Sequence, residues 1–64
     1  MIFRYADVGR LVRHIPTGDV WTLVGFDPID GWMLPMVERA KERRPVEDQT
    51  AWEPETRSAP ASTW

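Results

Sequence analysis

The side chains able to act as acid, base, nucleophile or metal ligand are few in this 64-residue sequence, and their spacing limits what they can do. His14 is the only histidine and there is no cysteine, which removes thiolate zinc sites and Cys/His nucleophile pairs. Ser58 and Ser62, the only serines, stand far from His14 in a low-complexity stretch, so no Ser/His/Asp unit with an ordered base is expected. Asp27 and Asp30 in "DPIDG" could in principle form a carboxylate pair or a cation site, but the turn reading is preferred. They lack the alternating acids and distal Glu of a calcium loop, and Asp suits turns because its side chain bonds nearby backbone. Gly9, Gly18, Gly25 and Gly31 are too scattered to cradle a phosphate. The expectation is a protein that is not an enzyme and carries no metal or cofactor.

A second chemistry is nucleic-acid binding, through Arg39, Lys41, Arg43 and Arg44, helped by Arg4, Arg10 and Arg13, with Tyr5 and Trp21 as stacking groups. Glu38 and Glu42 interleave with the "ERAKERR" charges, which is the pattern of a solvated face. Net charge is -2 and the pI about 5.2, a poor match to a phosphate polyanion. Nucleic-acid association is therefore the alternative and not the leading expectation.

The elements that must position these residues follow from patterning. "GRLVRHI" alternates with period two, "PTGD" suits a tight reversal around Gly18, and "VWTLVGFD" is a strand apolar on both faces. In "DPIDG", Pro28 can take the second turn position and Gly31 the left-handed one, and "WMLPMV" is then a third strand, bent at Pro35. Residues 9–37 are thus predicted to hold at least three antiparallel strands reversing near Gly18 and Gly31. "MVERAKERR" has good helix formers and predicts a short helix that Pro45 stops.

Charge divides the chain at Pro45. Residues 1–44 hold seven Lys/Arg against six Asp/Glu, whereas residues 45–64 hold one Arg against four acids, with prolines at 45, 54 and 60. The expected organisation is a small β module over 1–44 and an acidic, Pro-rich extended tail over 45–64. Trp52 and Trp64 stand out in that tail, because a solubilising segment has no need of large apolar groups. Each is expected either to fold back on its own domain or to anchor in a partner's pocket. Trp21 and Trp32 are expected at the core or its edge, with an aromatic cage of Tyr5, Phe26 and Trp32 as the other use of these rings.

Residues 5–32 carry Val8, Gly9, Leu11, Val12, Arg13, His14, Thr17, Gly18, Trp21, Val24, Gly25, Asp27 and Trp32, a set that resembles small SH3-like β-barrel proteins of phage and prophage type. Arg10 stands where that pattern has an acid. The resemblance covers under half of the chain and rests on turn and core residues. It implies a small SH3-like antiparallel barrel or curled sheet, of a kind used in adaptors, accessory modules and modulators of host proteins.

Taken together, the expected function is a non-enzymatic protein-binding module, in the manner of a phage- or mobile-element-encoded inhibitor or accessory subunit. Its partner-binding residues are Trp52, Trp64, Trp21 and Trp32, and its partner is a protein or a second copy of the chain. A core of about 45 residues without disulfide or metal is marginal and gains from association. A nucleic-acid-associated barrel comes second and a subunit completing a larger enzyme third. Cysteine is absent, the opening lacks a signal-peptide h-region, and no run approaches the ~20 apolar residues of a membrane span, so a cytoplasmic protein without membrane attachment is expected.

Overall fold

The structure, a computed structural model, describes residues 1–55. Five strands, β1 (Leu11–His14), β2 (Val20–Ile29), β3 (Trp32–Arg39), β4 (Glu42–Pro45) and β5 (Trp52–Pro54), form one antiparallel sheet in the order β4-β3-β2-β1-β5. Two single 3-10 turns, Tyr5–Asp7 and Gln49–Ala51, complete the described secondary structure. The chain is mainly β, with reversals near Gly18 and Gly31 as the patterning predicts.

Register places one set of side chains inside. Val12 pairs with Trp21 and Leu23 with Val37, and residues directly opposite in an antiparallel pair share a face. These four, with Phe3, Val46 and Trp52, are the buried core. Val46 follows β4 at one edge of the sheet and Trp52 opens β5 at the other, yet both lie in this cluster. The sheet is therefore curled so that its edges share one core. Val24 is an extra residue on β2, where the register to β3 shifts between Leu23 and Gly25, a bulge that increases local bending.

Turn chemistry explains the first two hairpins. At 15–19 the His14 carbonyl accepts from Gly18 N at 2.7 Å, and His14 N donates to the Asp19 carbonyl at 2.8 Å. Ile29 pairs with Trp32, leaving Asp30 (φ 51°) and Gly31 (φ 82°) as a two-residue loop. Left-handed backbone at both positions is what Asp-Gly supplies in a hairpin whose twist matches its strands. Pro28 is not a turn residue, contrary to the sequence expectation. It lies within β2 opposite Met33, since the two-residue Asp-Gly loop needs no proline. The Pro35 carbonyl accepts from Val46 N at 2.8 Å just beyond the β3–β4 ladder, which begins at Met36.

Two further expectations are corrected. The short helix over "MVERAKERR" is absent: β3 runs to Arg39, turns at Ala40–Lys41 and returns as β4, with Val37 opposite Arg44 and Arg39 opposite Glu42. An isolated helix of nine residues is marginal, whereas the strand register buries Val37 completely against Leu23. Residues 45–55 are likewise no extended tail. Val46 and Trp52 enter the core, Arg13 pairs with Glu53 across β1 and β5, and Glu55 N donates to the Leu11 carbonyl at 3.0 Å. Acidic, proline-containing composition yields here because those two apolar side chains and a strand ladder offset the ordering entropy.

Candidate functional site

Register separates the expected site residues into three places. Trp21 and Trp52 are buried, at 7% and 9% exposure, and meet edge to face with ring centroids 6.2 Å apart. Phe3 packs on Trp52 at 6.4 Å and the His14 ring lies 4.8 Å from it. Trp52 therefore anchors its own fold, which answers the two-way expectation made for it, and it is not free to enter a partner's pocket in this structure. Trp64 lies outside the described residues.

Trp32 is the opposite case, 73% exposed at the tip of the β2–β3 hairpin. β1 pairs with β2 only at residues 20–22, and β4 pairs with β3 only at residues 36–39. Residues 27–34 thus project as a two-stranded ribbon with no neighbouring strand, while at its base Phe26 packs against the core and Pro35 is buried. Cross-strand pairing puts Ile29 and Trp32 on one face with Leu34, and Pro28 and Met33 on the other with Phe26. Met33 is 56% exposed. The ribbon's only charges are Asp27 and Asp30. At its base Tyr5 packs on Phe26 at 4.6 Å, so the expected cage of Tyr5, Phe26 and Trp32 is not assembled: the third ring sits at the far tip.

The basic residues of the alternative do not form one patch. Arg39 and Arg44 share the inner face with Val37, Arg43 points to the outer face opposite Glu38, and Lys41 sits in the turn. Arg39 pairs with Asp19 (3.5 Å), Arg43 with Glu38 (3.8 Å) and Arg44 with Glu42. The guanidiniums of Arg39 and Arg44 lie 6.0 and 5.8 Å from the Trp21 ring centre. Such exposed pairs are worth about 0–1 kcal/mol each, but they place an acid beside three of the four cations.

A pocket of about 320 Å³ opens where the 15–19 turn faces the segment after β4. Trp21, Trp52, Pro45 and Ala51 give it apolar walls, and His14, Thr17, Asp19, Arg44, Glu47 and Asp48 its polar lining. The His14 Nδ1 lies 3.0 Å from Thr17 Oγ1. Asp48 caps the Gln49–Ala51 turn. Hydrogen bonds from Thr50 Oγ1, and then from Thr50 N at 3.0 Å, hold its carboxyl below the ordinary carboxylate value. Sequence reasoning missed this pocket because its two halves lie about 30 residues apart and meet only once Trp52 folds back.

No family model, curated protein or solved structure matches this chain. Among the described residues no helix is long and apolar enough to cross a membrane.

Proposed function

We propose that this chain is a non-enzymatic, SH3-like protein-binding module acting in the cytoplasm, in the manner of a phage- or mobile-element-encoded inhibitor or accessory subunit of a larger host protein. The observation that carries the protein-binding reading is the ribbon: Trp32 and Met33 are exposed on a projection that contributes little to the core. Water-exposed indole and thioether surface on a two-stranded arm is costly to leave uncovered and is the material of interface hot spots. The SH3-like label is supported by a four-strand meander, β1 to β4, with a fifth strand that returns beside the first. Fold alone assigns no role.

The test compares proteins captured by the immobilised full chain and by its Trp32→Ala/Met33→Ser variant. The proposal expects a partner retained by the first and lost by the second, with thermal unfolding of the two chains unchanged. Identical capture by both would overturn it, as would a tight, steeply salt-dependent affinity of the unmodified chain for RNA or DNA.

A further inference from the structure

We propose that the pocket between the 15–19 turn and the Gln49–Ala51 turn receives a cationic side chain, arginine or lysine, carried on an extended segment of a partner protein. The inference rests on the protein-binding reading and names the chemistry of a second contact, at the opposite end of β2 from Trp32. Trp21 and Ile29, the neighbour of Trp32 across the ribbon, are eight residues apart on one strand, roughly 26 Å at strand rise.

Shape gives the first argument. About 320 Å³ lies at the small end of ligand sites, a volume for one or two side chains and not for a large cofactor. The apolar walls from Trp21, Trp52, Pro45 and Ala51 suit the aliphatic stem of Lys or Arg, which buries its methylenes while the head stays polar. Indole faces also attract cations, and the two guanidiniums already held over Trp21 show that preference within this chain.

Charge gives the second. Asp19, Glu47 and Asp48 face the single cation of the lining, Arg44. Arg39 engages Asp19 and Arg44 engages Glu42, which leaves Glu47 without an ion-pair partner among the described residues. Asp48 feels the N-terminal ammonium that the Gln49 and Trp52 carbonyls hold nearby but forms no salt bridge with it. Hydrogen bonding from Thr50 fixes the Asp48 carboxylate in place and keeps it ionised, so an incoming cation meets a preorganised acceptor. The same rim repels phosphate, which sets an oligonucleotide against this pocket.

The experiment uses the full, isotope-labelled chain and follows the indole Nε1–H signals of Trp21 and Trp52 by NMR. The probe is an acetylated, amidated Ala-Arg-Ala-Arg-Ala peptide, compared with its citrulline analogue, which keeps the size and loses the charge. Saturable shifts of both indoles with the arginine peptide and none with the citrulline peptide are expected. Glu47→Gln with Asp48→Asn should weaken binding about fivefold or more, the upper end for exposed charge pairs, and Asn keeps a side-chain oxygen to cap the turn. Trp32→Ala should leave the titration unchanged, so failure of the ribbon reading and failure of this one appear in different variants. Absence of saturable shifts, equal binding of the citrulline peptide, insensitivity to the double substitution, or the same shifts with an oligothymidylate would overturn the proposal.

Discussion

Trp52 and Trp32 are the same side chain in two regions that composition describes the wrong way round. Trp52 lies among acids and prolines yet packs against Phe3, His14 and Trp21, whereas Trp32 sits in an apolar run yet stands in water. Neighbouring residues in sequence do not decide burial here. What decides it is the sheet: β5 lies beside β1 and turns Trp52 inward opposite His14, while the β2–β3 ribbon extends past the last strand able to cover it. One indole closes the fold, and the other is left to be covered from outside.

Truncating the inner indole is the largest test of that contrast. Trp52→Ala should cost about 3–5 kcal/mol, the range for emptying a buried tryptophan site. This is comparable to the ~3–5 kcal/mol that the core of so small a domain supplies. Urea or thermal unfolding should find the variant largely unfolded at room temperature, with Trp52→Phe folded but melting lower. A chain ending at Arg44 should not fold, since it lacks Val46 and β5. Wild-type melting of Trp52→Ala would restore Trp52 as a partner anchor and break the comparison.

The outer indole should give the mirror result. Trp32→Ala is expected to change stability by no more than ~0.5 kcal/mol, as for ordinary surface positions. It should weaken partner binding about thirtyfold, a hot-spot loss of ~2 kcal/mol, measured by calorimetry on the captured partner. A drop in melting temperature as large as that of Trp52→Phe would mean that the ribbon belongs to the core after all.

The hairpins at Gly18 and Gly31 were legible because Asp-Gly and Pro-Thr-Gly-Asp carry their turn geometry in their residue types. The Ala40–Lys41 turn was not, because it has the form of a glycine or asparagine turn without either residue: Ala40 (φ 49°) and Lys41 (φ 70°) are both left-handed. Nothing local announces a strand pair in "MVERAKERR", so it is the partner Leu23, distant in sequence, that selects it by pairing with Val37. Trp52 carried a signal as a large apolar group in a polar segment, but the choice between its own core and a partner depended on Phe3 and Trp21, whose positions only the fold supplies. The pocket was illegible for the same reason.

That third turn also offers a stabilising variant. Left-handed backbone costs an ordinary L-residue roughly 1–2 kcal/mol, and Asn-Gly is the preferred pair for such a loop. Ala40→Asn with Lys41→Gly should therefore raise stability by about 1 kcal/mol, or ~4–8 °C in melting temperature for a domain of this size. It should leave the exposure of Trp32 and the partner affinity as they were. A lowered melting temperature would show that these residues do not hold the left-handed turn in solution.

The smallest expected effect lies at Asp48, which shapes the segment that carries Trp52 back to the sheet. Its folded-state carboxyl titrates below the ordinary value near 3.8 because Thr50 donates to it from its hydroxyl and from its backbone N–H. A carboxyl depressed in the folded state contributes stability that is fully present above its unfolded value and is lost as pH falls through the folded one. The wild type should therefore melt slightly above Asp48→Asn at neutral pH, and the gap should close below about pH 4 as the carboxylate takes up its proton. The asparagine retains a capping oxygen but has no charge to lose, so the comparison isolates the carboxylate from the cap. Thermal melts of both chains from about pH 7 to pH 2 measure it. A gap that persists to the lowest pH would assign the difference to cap geometry and leave no ionisation linked to the closure of Trp52 over the core.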